Sequence, residues 1–258
     1  MSLRVAAVLI ALAPAAALAQ PADGGLKLRM SELELGASKE RLTGGRPDWN
    51  STYLEGAHAI AERQTIYGGL RATERFGLRD SEQWLGYYHP LGPDWTALVE
   101  ASVSEQHRVL PKYSVFGQLS KSLGSGWGAN LGLRHTEYNL VGVNLLVAGV
   151  ERYWGPFRGA YTLYAGRPEG ATTGVAHRLQ LNYYYDERST IGVAATAGRE
   201  IENVGPPAGI LSTDVRNLTV TGRHWMTPDW GLSWDLLAHE QGNLYRRQGF
   251  RIGIRHRF

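Results

Sequence analysis

The chain has 258 residues and a formal net charge of +3, from 27 Lys and Arg against 24 Asp and Glu. Charge so mild and so evenly spread gives no reason to invoke nucleic acid. There is no cysteine, which excludes a disulfide-stapled scaffold, a thiolate metal site and a thiol nucleophile, whereas 32 glycines, 13 tyrosines and 8 tryptophans suit tight turns and membrane–water interfaces.

The N-terminus reads as a secretory signal peptide. Met1 to Arg4 is short and basic, Val5 to Leu18 is apolar apart from Pro14, and Ala17-Leu18-Ala19 supplies a small-x-small cleavage pattern before Gln20. This divides the chain into residues 1–19, a signal peptide, and 20–258, one domain. The alternative, an N-terminal membrane anchor, needs about 20 apolar residues. Beyond Gln20 the best apolar stretch, Leu140 to Val150, is short and broken by Asn144. A helical membrane protein is therefore excluded.

From there the period is two. Expected strands begin near Ser31, Trp49, Thr65, Ser81, Trp95, Tyr113, Trp127, Val141, Phe157, Gly174, Ser189, Leu211, Trp230 and Tyr245. In Trp95 to Val103 the apolar set Trp95, Ala97, Val99, Ala101 and Val103 alternates with Thr96, Glu100 and Ser102. In the last strand Phe250, Ile252, Ile254 and Phe258 alternate with Arg251, Gly253, Arg255 and Arg257. A β-sandwich alternates too, so the turns carry the decision. Gly- or Pro-containing breaks followed by an aromatic recur before Trp95, Trp127, Phe157 and Trp230, about every 30 residues where the spacing is regular, the length of a two-strand hairpin. Between them lie longer polar connections, Thr43 to Asp48, Gln106 to Lys112, Arg167 to Thr173 and Ile201 to Gly209. The pattern predicts an all-β, transmembrane, antiparallel up-and-down barrel of about 14 strands, with 12 or 16 open if one hairpin is merged or split. Both chain ends and the tight turns then fall on the periplasmic side. Trp95, Trp127, Trp154, Phe157 and Trp230 form an aromatic girdle there. Phe258, with Phe250 on the same face, resembles the C-terminal signal read by the outer-membrane barrel assembly machinery.

Leu33-Glu34-Leu35-Gly36, Glu40-Arg41-Leu42, Asp48-Trp49, Tyr53-Leu54-Glu55-Gly56 and Thr65-Ile66-Tyr67-Gly68 resemble the start of the YaiO-family outer-membrane barrels. Thr73 to Leu78, Gly86-Tyr87-Tyr88 and the Arg-rich strand closing on Phe258 extend the resemblance over essentially the whole mature chain. It implies a surface-localised protein of the cell outer membrane, in contact with outer-membrane lipids, and hints at exported polysaccharide. It transfers no catalytic residue.

Nucleotide and hydrolase motifs are missing. No lysine follows a glycine, the Gly124–Gly128 cluster lacks dinucleotide spacing, and Ser125 is not in a G-x-S-x-G elbow. The eight histidines are scattered singly, so no metal or other cofactor is expected. His135 and His256 fall on the outer face near strand ends, where interface anchoring outweighs the role of a lipid-modifying enzyme. The alternation sends Arg71, Arg75, Arg134, Arg178, Arg223, Arg251 and Arg255 into the lumen, with Glu32, Glu34, Glu40, Glu100 and Asp235. Closing the first strand on the last sets Glu32 and Glu34 near Arg251 and Arg255, each pair contributing roughly 0.2–1 kcal/mol to the register. Two readings follow: a narrow pore or surface-exposed binding protein for saccharide or small charged solutes, or a plugged, non-conducting barrel that acts through its loops. Neither is catalytic.

Overall fold

The computed structural model describes residues 31–203 and 210–258. The signal-peptide reading of residues 1–19 and most of the Ile201–Gly209 connection lie outside the described residues. Fourteen strands form: β1 (Ser31–Leu42), β2 (Trp49–Ala61), β3 (Gln64–Arg75), β4 (Leu78–Pro90), β5 (Trp95–Ser104), β6 (Tyr113–Gly124), β7 (Trp127–Glu137), β8 (Gly142–Trp154), β9 (Phe157–Pro168), β10 (Gly174–Tyr184), β11 (Thr190–Asn203), β12 (Ile210–Trp225), β13 (Trp230–Gln241) and β14 (Tyr245–Arg257). Each pairs antiparallel with its sequence neighbours, and β1 pairs with β14, so the sheet closes. A spanning strand needs about 9–11 residues, a length every strand provides.

The two faces of the wall follow the period of two. Outward apolar side chains are wide open, Leu35, Leu133 and Leu179 being more than 60% exposed. Such a belt on a protein in water would be an aggregation surface; around a closed barrel it is the lipid-facing side. No described helix is long and apolar enough to cross a membrane.

Two connections differ from expectation. β4 begins at Leu78 rather than near Ser81, because Phe76 and Gly77, with φ of 53° and 75°, close a two-residue turn that lets both strands run longer. Positive φ at both central positions is the type I′ geometry whose twist matches a hairpin. Likewise Ile201 sits at the end of β11 instead of opening a loop. The end opposite the termini therefore mixes long connections (43–48, 105–112, 169–173) with this short turn and the three residues 242–244 between β13 and β14.

Candidate functional site

At the seam, register sets Glu34 opposite Arg255 and Ser38 opposite Arg251. Glu34 is nearly inaccessible and gathers four donors. Tyr53 Oη and Ser233 Oγ donate to its Oε1 at 2.6 Å, Arg251 Nη2 donates to the same oxygen at 3.1 Å, and Arg255 Nη1 donates to Oε2 at 2.6 Å. Arg255 also holds Glu32 at 2.6 Å, and Arg251 reaches Glu55 at 3.2 Å and Asp235 at 3.8 Å. The Arg251 guanidinium lies 4.2 Å from the Tyr53 ring centroid. Four strands, β13, β14, β1 and β2, thus contribute to one network in which each buried charge has a partner of opposite sign.

A second group lies on β3 to β8. Arg134 Nη2 donates to Glu100 Oε1 at 2.9 Å, Tyr67 Oη donates to Glu100 Oε2 at 2.5 Å, and Arg134 stacks 4.5 Å from the Phe116 centroid. Tyr88, Leu98 and Phe116 pack beside them as an inward apolar cluster. Arg71 stands 4.0 Å from Glu82 and 5.1 Å from the Trp84 ring. Glu40 pairs with Arg247 at 3.0 Å, whereas Arg178 and Arg223 form no salt bridge or side-chain hydrogen bond among the described residues. The structure therefore gathers Glu32, Glu34, Asp235, Arg251 and Arg255 in one network and Glu100 with Arg134 in another.

Several contributing residues were not singled out from sequence: Tyr53, Glu55, Tyr67, Glu82, Arg158, Ser233 and Arg247. Arg247 was within reach, being in phase with Arg251 and Arg255 on one strand. Arg158, which pairs with Glu151 at 2.6 Å, follows the girdle residue Phe157 and so faces inward.

The end opposite the termini is roofed. The guanidiniums of Arg75 and Arg247 lie over the Trp49 ring, at 4.5 and 4.4 Å, and the ring meets Phe76 and Tyr245 edge-on. Leu42, Leu211 and Leu244 pack on this cluster. The 105–112 connection folds inward rather than out: Val109 and Leu110 are buried, and their amides donate to Asp80 Oδ2 at 2.6 and 2.8 Å. Ile201 packs on Tyr138 and Val143 nearby.

Around the other rim, Trp95, Trp127, Trp154, Phe157 and Trp230 lie on the outer face. Trp154, Phe157, Tyr183, Tyr185 and His224 form successive ring contacts at 5.2–6.3 Å. His256 continues the rim between Trp230 and Phe258, at 4.4 and 5.8 Å. Phe258 is fixed to the first strand by two backbone hydrogen bonds with Ser31, and Phe250 faces outward halfway along β14. His135 Nδ1 lies 2.9 Å from Asn144 Oδ1, and its Nε2 lies 3.6 Å from Glu137. No group of three or more metal-ligating side chains occurs among the described residues.

A closed antiparallel wall with an apolar exterior, an aromatic rim and a charged interior defines a porin-like membrane β-barrel. The model of the YaiO membrane β-barrel domain matches residues 30–202. The chain belongs to that family. No curated protein matches its sequence. Among solved structures it is similar to the CymD monoaromatic hydrocarbon channel, at TM-score 0.59 and 9% identity over 90% of this chain and 88% of that one. It is similar to a bacterial polysaccharide outer membrane secretin at TM-score 0.56 and 8% identity, over 89% and 99%. The translocator domain of autotransporter NalP from Neisseria meningitidis gives TM-score 0.50 and 12% identity, over 88% of each chain. At these identities the likeness is one of fold.

Proposed function

We propose that the chain is exported and seated in the outer membrane, termini toward the periplasm, as a narrow passage for small charged or saccharide solutes. One observation carries this reading: the inner wall is unequally accessible. Around the buried Glu34, four charged side chains of the seam are open to water, Arg251 by 36%, Asp235 by 33%, Glu55 by 27% and Glu32 by 24%. On the facing arcs Leu98, Phe116, Tyr88 and Arg178 are between 4 and 8% exposed. Water therefore reaches furthest along β1, β2, β13 and β14, where both signs of charge line the wall, while Glu151, Arg71 and Arg134 on other strands are 26, 23 and 19% open. Such a lining exchanges hydration for charged partners without a deep well for either sign, and lumen residues of this kind set selectivity.

The test is single-channel conductance of refolded residues 20–258 in a planar bilayer. Steady conductance whose ion selectivity moves toward cations in Arg251→Glu supports the passage; silence from demonstrably folded protein overturns it. The roof over the opposite mouth favours a second reading, a closed barrel acting through its loops. Silence of the wild type with conduction in Trp49→Ala would select that one. We read no catalysis in either case: both nitrogens of His135 face polar neighbours that hold the ring in place, and His256 is stacked in the aromatic rim.

A further inference from the structure

Two shallow grooves on the outer surface of the wall differ in chemistry. One, about 700 Å³, lies on the β1–β5 side, and Leu35, Leu54, Leu70, Thr52 and Gln83 are among its outward side chains. The other, about 490 Å³, lies across β11–β14 and, unlike the first, carries outward cations. Its floor is made of methyl groups, from Ala195, Ala197 and Ala238. Short side chains there let a hydrocarbon chain approach the backbone between Leu218 and Gln248, which flank Ala238 in register.

Directly beyond the floor, register places Ala197, Arg216, Glu240 and Arg246 side by side on four successive strands. Arg246 Nε lies 2.9 Å from Glu240 Oε1, with both side chains largely in the open. Arg216 has no ion pair or side-chain hydrogen bond among the described residues, and neither has Arg41, which is opposite Gln248 one strand further on. The depth of this row follows from the strand itself. Trp230 marks the aromatic rim and Glu240 lies ten positions along β13 from it, one crossing of the hydrocarbon layer. The guanidiniums therefore stand at headgroup level on the side opposite the rim, above the apolar row of Val220, Leu236 and Phe250.

We propose that this groove binds a phosphorylated glycolipid of the outer leaflet, with an acyl chain on the alanine floor and a phosphate between Arg216 and Arg246. A guanidinium presents two parallel donors to phosphate oxygens, which an ammonium cannot. A phosphate would compete with Glu240 for Arg246 and find Arg216 already uncommitted. The proposal rests on the orientation given above, loops outward, and not on conduction.

Native mass spectrometry of the folded barrel released from detergent tests it, with lipid A, dephosphorylated lipid A and phosphatidylglycerol as separate probes. Basic residues near a membrane surface attract anionic lipid, so reversing two is expected to cut lipid A retention by about tenfold or more. Arg216→Glu/Arg246→Glu should show that loss, and Gln83→Glu in the other groove should not. Dephosphorylated lipid A should be held far more weakly by the wild type, and phosphatidylglycerol more weakly than lipid A, because its phosphodiester carries less charge and fewer free oxygens than a phosphate monoester. Folding is checked by heat-modifiable mobility, and Arg216→Gln/Arg246→Gln serves if the reversal does not fold. Wild-type retention by the charge variants overturns the site, and so does equal retention of either control lipid. Lost retention with conductance unchanged, or the reverse, separates this proposal from the passage.

Discussion

Removing the Glu34 carboxylate should loosen the closure of the barrel. In Glu34→Ala, Arg255 keeps Glu32 and Arg251 keeps Glu55 and Asp235, so neither guanidinium is stranded. Tyr53 loses its acceptor at a buried position, and Ser233 keeps only a long contact to the Gly253 carbonyl at 3.4 Å. A buried donor left unsatisfied costs about 1–3 kcal/mol, and breaking one side of a buried ion pair costs about 3–5. With partial re-pairing of the arginines, the total expected is about 3–5 kcal/mol, and about 2–3 for Glu34→Gln, which keeps the shape and one acceptor oxygen. Urea unfolding in lipid vesicles, followed by tryptophan fluorescence and heat-modifiable mobility, reads this directly. Combined with Arg255→Ala, the double variant should lose less than the two singles together, by about 1.5–3 kcal/mol. A loss below about 1 kcal/mol, or strict additivity with Arg255→Ala, would refute the reasoning, because the four donors would then not depend on one carboxylate.

Two further outcomes follow from local geometry. At Gly36 the Tyr53 ring occupies the space a Cβ would need, whereas at Gly117 no atom lies within 4 Å. Gly36→Ala should therefore cost about 1–3 kcal/mol by overpacking, while Gly117→Ala leaves the unfolding midpoint near wild type. In the turn between β10 and β11, desolvation pushes the Asp186 carboxyl upward but is outweighed by the Arg188 amide, the Ser189 hydroxyl and amide, and the Arg188 guanidinium together, which hold it below the usual carboxylate range. A depressed folded-state value means the turn's contribution is complete above the ordinary carboxylate range and is lost as pH falls through the lower folded value. Amide exchange at Ser189, corrected for intrinsic rate, should accelerate on acidification in the wild type and be fast at all pH values in Asp186→Ala. A pH-independent difference would contradict it.

The wall was legible because each strand repeats one decision, apolar out and polar in, and because aromatic residues follow the turns on one rim. Inward Arg and Glu positions follow from the same parity. Parity does not say which inward charges meet. The Arg251–Glu55 contact joins strands two apart around the wall and depends on the stagger of the closed sheet, which no single strand encodes. The roof was illegible for another reason. Gln106 to Lys112 reads as a polar outer loop, yet Val109 and Leu110 inside it turn inward once Asp80, far away in sequence, accepts their amides. At Ser81 the reading failed locally: Phe76-Gly77 was not recognised as a turn, because a bulky aromatic at positive φ is an unusual first residue for it.

The central claim, a water path along the seam, is tested most directly by thiol accessibility, since the chain contains no native cysteine to confuse the signal. Asp235→Cys and Glu55→Cys on the seam, and Leu98→Cys and Ala194→Cys on the facing arcs, are reconstituted in vesicles and exposed to a small, charged, membrane-impermeant thiol reagent. The account predicts rapid labelling of the seam pair and protection of the other pair until the barrel is unfolded. Equal labelling of all four would mean a wide lumen, and protection of all four a filled one; either result contradicts a narrow passage along the seam.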